Sequence, residues 1–202
     1  MKFSDLDLSK SYTYADYIKW KFDEVVELIR GRVFQMSAPL STHQQISGNI
    51  FFIFKNYLRG KNCLVFDAPF DVRLTKPKSQ RKSDKDIQTV VQPDVCIVCD
   101  IAKIDRRGCV GSPDLIVEIL SKGTAEKDVK DKFEIYEESG VLEYWIVSVE
   151  DCLVSVFRLD KNGRYQADHR PYVKGDIIRV GIFTDFEIPV EEIFEGLLEF
   201  KN

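Results

Sequence analysis

Glu118 stands inside Leu115-Ile116-Val117-Glu118-Ile119-Leu120, a run that is otherwise wholly apolar. An ionised carboxylate left unpaired in such a strand is expensive, so it requires a cation or a shell of hydrogen-bond donors. Asp94 follows Gln92-Pro93 and leads into Val95-Cys96-Ile97-Val98, which makes it a second acid at a strand start; Asp114, in Ser112-Pro113-Asp114, is a third. Two or three carboxylates converging from neighbouring strands form a hard-oxygen site suited to Mg2+ or Mn2+. Such a metal polarises a phosphodiester and lowers the pKa of a bound water, which is the chemistry of phosphodiester hydrolysis. For Asp114 a plainer role competes, a side chain capping a loop amide where its strand begins.

The segment after Glu118 supplies a cation. Asp128 and Lys132 are four residues apart, the spacing of a helical surface ion pair. However, Val129, Phe133 and Tyr136 mark the buried face, and Lys132 lies one turn from both Val129 and Tyr136. Lys132 therefore borders the core, where an ammonium could orient or deprotonate a water or stabilise phosphoryl charge. Glu27 alternates with Val25 and Ile29 on one strand face, an acid between apolar neighbours that needs solvent or a partner. His43 opens a helical stripe with Ile46, Ile50, Phe54 and Tyr57, where a histidine is either a packing residue or part of a pocket.

These groups must be positioned by elements the pattern also predicts. Ser11-Tyr12-Thr13 starts a helix carrying Tyr14, Tyr17, Ile18 and Phe22, and residues 25–36 form a hairpin around Arg30-Gly31. Ser41-Thr42 caps a helix running to about Arg59 and stopped by Gly60. Short strands are predicted over 63–66 and 70–74, a loop without apolar periodicity over 75–86, and one strand over 90–98. A basic linker then leads to the strand at 115–120. Ser121 or Thr124 caps a helix over about 125–138, ended by Gly140. Strands at 144–149, 153–159, 177–180 and 186–188 and a short helix from Val190 complete the chain.

The chain has 202 residues, 44% of them hydrophobic and 31% charged, which fits one folded domain with a sizeable core. No apolar run reaches the ~20 residues of a membrane span, and the N-terminus lacks a signal-peptide pattern, so a cytoplasmic protein with no membrane partner is expected. Five cysteines in mostly apolar runs then read as small buried hydrophobes, Cys96-x-x-Cys99 included, because a second pair of zinc ligands is missing. The net charge of −4 argues against sequence-independent clamping of nucleic acid, although Lys76, Lys78, Arg81, Lys82 and Lys85 crowd one stretch and Lys103, Arg106 and Arg107 another.

Taken together, Glu27-Leu28-Ile29-Arg30-Gly31, His43, Gln92-Pro93-Asp94, the 112–121 segment, Asp128, Lys132, Tyr136, Gly140 and Glu143-Tyr144-Trp145-Ile146-Val147 resemble the Uma2 (DUF820) family, a branch of the PD-(D/E)XK restriction-endonuclease-like superfamily. The resemblance covers most of the chain. It implies an α/β fold: a restriction-endonuclease-like mixed central sheet flanked by helices, with an N-terminal hairpin and a C-terminal antiparallel extension, in a single domain over 1–202. By the same resemblance Asp94 and Glu118 are the metal-binding acids, Glu27 an accessory acid and His43 a pocket member. The superfamily's lysine would stand two residues after the second acid, but that position is Leu120. Lys132 is the relocated candidate, and Lys122 the lesser one. The implied function is Mg2+- or Mn2+-dependent hydrolysis of DNA phosphodiester bonds, with a homodimer compatible. The rival is a non-catalytic nucleic-acid-binding or interaction protein that keeps the fold, a reading favoured by Leu120 and the acidic net charge. A structural scaffold, its acids satisfied internally, is a third.

Overall fold

Arg30 and Gly31 both take positive φ (50° and 82°), the conformation that lets a two-residue turn match the twist of paired strands. The turn joins β1 (Val26–Ile29) to β2 (Arg32–Gln35), and a Cβ at residue 31 would come 2.2 Å from Ser11 Oγ and sit on a backbone that strains any side chain. In this computed structural model residues 3–21, 23–75, 83–120 and 126–197 are described. Phe22, Lys76, Lys78, Arg81, Lys82, Ser121, Lys122, Thr124 and the Asp128 side chain, with most of the loop expected over 75–86, lie outside the described residues.

The expected strand at 90–98 is in fact two strands, β5 (Val90–Val91) and β6 (Val95–Val98), and they belong to different sheets. Pro93 has no N–H to give to a ladder, and the chain leaves one sheet and enters the other at Gln92-Pro93-Asp94. The basic linker likewise contains strands: β7 (Ile104–Asp105) and β8 (Gly108–Val110) form a small hairpin. With β4 (Val72–Arg73), these build a six-stranded sheet in the order β2-β1-β5-β4-β8-β7, so the N-terminal hairpin is the edge of a larger sheet.

The central sheet has the order β12-β11-β10-β9-β6-β3, from β3 (Leu64–Asp67), β6, β9 (Leu115–Leu120), β10 (Glu143–Ser148), β11 (Leu153–Leu159) and β12 (Tyr165–Ala167). It is mixed. β9 and β10 are parallel and joined through a crossover containing α3 (Glu126–Ser139), while the other pairs are antiparallel. On one face Val95, Ile97, Leu115, Val117 and Trp145 pack against Ile46, Ile50 and Phe54 of α2 (Ser41–Tyr57). The C-terminal β13 (Ile177–Arg179), β14 (Glu187–Pro189) and α4 (Val190–Ile193) cover the same face. On the other face Cys96, Val98, Ile116 and Tyr144 meet Ile135 and Tyr136 of α3, together with Ile29, Val72 and Val91 of the second sheet and Leu74 just past β4. Strand alternation thus sends odd-numbered residues of β9 to one layer and even-numbered ones, Glu118 among them, to the other.

Smaller corrections concern caps and cysteines. α2 has Leu40 at its N-cap and no side-chain cap, so Ser41 is already helical, and the first helix, α1, is a single turn (Tyr14–Tyr17). Cys63 and Cys99 are not separate hydrophobes but a disulfide. The β3–β6 register, carried one residue past Leu64↔Val98, sets them opposite each other. Among the described residues, no helix is long and apolar enough to cross a membrane.

Candidate active site

Glu27 is 5% exposed in the middle of β1, and Glu118 is 7% exposed in β9. Each comes from a different sheet, and Lys132 of α3 joins them: its Nζ lies 3.1 Å from Glu27 Oε1 and 2.9 Å from Glu118 Oε1. The backbone N–H of Gln92 donates to the same Glu27 oxygen at 2.8 Å. The Gln92 side chain is itself fixed by the Tyr17 hydroxyl (3.1 Å) and Asp71 (2.9 Å). Tyr136, one turn after Lys132, donates its hydroxyl to Glu118 Oε1 at 2.6 Å. That tyrosine was expected only as packing.

Asp94 occupies the passage between the sheets. The β6–β9 ladder ends at Val95↔Val117, and Asp94 stands one residue outside it, close enough for its charge to act on Glu118. Asp94 Oδ2 accepts the Ile119 N–H at 2.7 Å and meets His43 Nε2 at 3.2 Å. His43 reaches it from the first turn of α2, and its Nδ1 is buried with no hydrogen-bond partner. All five expected residues are therefore gathered at one place, as a Glu27–Lys132–Glu118 bridge beside an Asp94–His43 pair. Asp114 stands apart: its carboxylate accepts the Cys99 N–H at 2.7 Å and caps the loop. Two surface cavities, of about 270 and 490 Å³, lie elsewhere, around Arg30, Thr89 and Glu138 and around Arg158, Tyr172 and Arg179.

Two carboxylates, Glu27 and Glu118, share the Lys132 ammonium, while Asp94 meets His43. Burial pushes the Glu118 carboxyl up; Lys132 pulls it back, Asp94 and Glu27 add to the rise, and the result is about 7 against an ordinary 4.5. Burial works against the charged form of Lys132, but Glu118 and Glu27 outweigh it and hold the ammonium well above its usual range. His43 behaves similarly: burial lowers it, while the Asp94 hydrogen bond and charge, with Glu118 behind, raise it overall.

For both Glu118 and His43 the folded protein keeps protons that the unfolded chain has released. Their contribution to stability is complete below the unfolded pKa and is lost as pH rises through the folded one. The metal-free protein is therefore expected to melt at a higher temperature at pH 5.5 than at pH 8. For Glu118 the stretch from pH 5.5 to its folded pKa of about 7 corresponds to about 2 kcal/mol, or roughly 4–8 °C for a chain of this size. Thermal melts across that window in EDTA check this; a Tm that is flat or rises with pH would refute it.

Among the described residues, no group of three or more His, Cys, Asp or Glu side chains is arranged to hold a metal ion. Mg2+, however, is commonly bound through only one or two carboxylates, with waters and substrate phosphate completing its shell. Asp94 and Glu118, two hard-oxygen donors near enough for the charge of one to raise the pKa of the other, fit that mode of binding.

The profile of the Uma2 family, described as "Putative restriction endonuclease", matches residues 14–191. The chain belongs to the Uma2 family. The matched span includes Glu27, His43, Asp94, Glu118 and Lys132. A crystal structure described as a "putative nuclease belonging to DUF820", from Anabaena variabilis, superposes with a TM-score of 0.70, covering 93% of this chain and 99% of that one at 16% identity. This likeness shows a shared Uma2-type fold. An "Uncharacterized protein slr1290" of Synechocystis is 24% identical over 190 residues, 90% of each chain. Family and fold are thus nuclease-like, the mixed α/β architecture expected of Uma2.

Proposed function

We propose that this chain is a divalent-metal-dependent endonuclease that hydrolyses DNA phosphodiester bonds. One observation carries the reading: a buried carboxylate, Glu118, lies within electrostatic reach of a second, Asp94, which accepts the N–H of the next residue, Ile119, while a protonated lysine is tied to Glu118 and to a third acid. Asp94 and Glu118 would hold Mg2+ or Mn2+. The ion would supply Lewis-acid polarisation of the phosphate and a more acidic bound water.

The chain's own groups do the rest. Glu27 and Glu118 keep Lys132 charged, so it serves as a fixed cation for the developing phosphoryl charge and not as a base. Because α3 is packed into the core, that cation needs no reorganisation when charge develops. His43 fixes Asp94 through Oδ2, and Ile119 N–H holds the same oxygen from the strand. The in-strand lysine position, Leu120, is functionally replaced from the helix.

Supercoiled, linear and single-stranded DNA, incubated with Mn2+ or Mg2+, provide the test. Cleavage by wild type that EDTA abolishes and Glu118→Ala lowers at least about 100-fold is expected. Equal cleavage by both proteins, or none by either on any substrate, would overturn the reading. The second reading, a nucleic-acid-binding protein without turnover, draws on the Lys132 ammonium already seated between two of the acids. It predicts salt-sensitive DNA affinity that survives Asp94→Ala and ignores divalent ions.

A further inference from the structure

Lys132 and Tyr136 sit one helical turn apart on the same face of α3, and both point their donors at a single atom, Glu118 Oε1. The hydroxyl contact, at 2.6 Å, is in the range of O–H donors to charged acceptors. Tyr136 has no solvent exposure, so water is not an alternative partner for its hydroxyl. Its ring is held edge-on against Tyr144 (centroids 5.1 Å apart, planes at 68°) and packed in the layer with Ile116 and Ile135. Packing alone would be met by phenylalanine. A buried tyrosine also needs an acceptor, but a backbone carbonyl suffices for that purpose, as it does for Tyr165, which donates to Val141 O at 3.0 Å. Tyr136 instead uses one oxygen of Glu118, the acid on which Asp94's charge acts.

We propose that Tyr136 is a positioning residue: with Lys132 it pins Oε1 of Glu118 and thereby commits the other oxygen, Oε2, to a divalent cation shared with Asp94. This rests on the reading of Asp94 and Glu118 as the cation-binding pair. Two donors on one oxygen fix the carboxylate's rotation as well as its place, which a lone lysine on a flexible stem does not do. The proposal assigns α3 a task beyond delivering a lysine, namely orienting the acid of a different element.

The experiment compares wild type, Tyr136→Phe, Tyr165→Phe, Glu118→Ala, Glu118→Gln and the Glu118→Gln/Tyr136→Phe double variant by calorimetric titration with Mn2+ and by steady-state cleavage. Tyr136→Phe keeps the ring and is expected to weaken Mn2+ binding about 10- to 100-fold. It should lower kcat while leaving KM for DNA unchanged. Tyr165→Phe also loses a buried hydroxyl bond, yet should bind Mn2+ like wild type. In a Glu118→Gln background, Tyr136→Phe should add no further loss, because its effect runs through that carboxylate; this comparison holds even if Tyr136→Phe lowers the melting temperature. Mn2+ affinity of Tyr136→Phe within twofold of wild type, an equal loss in Tyr165→Phe, or full additivity with Glu118→Gln would overturn the proposal while leaving the nuclease reading intact. Mn2+ binding by wild type that Glu118→Ala does not weaken, or no Mn2+ binding at all, would overturn both.

Discussion

Lys132→Met is expected to lower DNA cleavage about 100- to 1000-fold, the usual consequence of removing a preorganised charge from a phosphoryl-transfer site. It should also destabilise the fold. The side chain is 14% exposed and compensates Glu27 and Glu118, at 6% and 10%, both of which would be left buried without their cation. Breaking a buried pair from one side costs about 3–5 kcal/mol. The loss should be smaller at pH 5.5 than at pH 8, because the carboxyls of the variant can take up a proton in place of the missing ammonium. Denaturant unfolding at the two pH values and cleavage of a single DNA substrate together test this. A variant that cuts within tenfold of wild type would remove Lys132 from the chemistry, and unchanged stability at pH 8 would contradict the bridge itself.

Trp145→Ala should have the second largest effect, and of a different kind. Trp145 has no exposure, lies 5.7 Å from Phe54 centroid to centroid, and donates Nε1 to Glu143 Oε1 at 2.7 Å. Emptying such a position costs about 3–5 kcal/mol, or roughly 10 °C in Tm for a chain of this length. Glu143, 1% exposed, would also lose one of its donors, retaining the Ile182 N–H at 3.1 Å. Since Trp145 pairs with Val117 and faces α2, away from Glu118, the folded variant should keep wild-type Mn2+ affinity. Calorimetry for stability and titration for the ion separate the two outcomes; loss of ion binding in the folded variant would mean that the two faces are coupled.

The contrast between these residues explains how much could be read from the chain. Glu118 was legible because a charge inside an apolar run violates the pattern around it, and the structure satisfies it with Lys132 and Tyr136. Lys132 was legible as a residue bordering the buried stripe of its helix. Tyr136 was not, since a tyrosine at helical spacing looks the same whether its hydroxyl meets a carboxylate or a carbonyl. The split of residues 90–98 had a local signal in Pro93, which breaks a ladder, but the sheet that each half joins is set only by pairing partners. The same holds for Cys63 and Cys99, which face each other through a register no local rule supplies. β7 and β8, two and three residues long, are too short to show a period.

The change of sheets at Pro93 carries a mechanical corollary. Glu27 is fastened to one slab of the molecule and Glu118 to the other, and the lysine rivets the slabs together at the very spot where a scissile phosphate would be gripped. On the proposed reading, cohesion and reactivity would draw on the same few bonds. Any loosening of the joint would disarm the chain before it unravelled it.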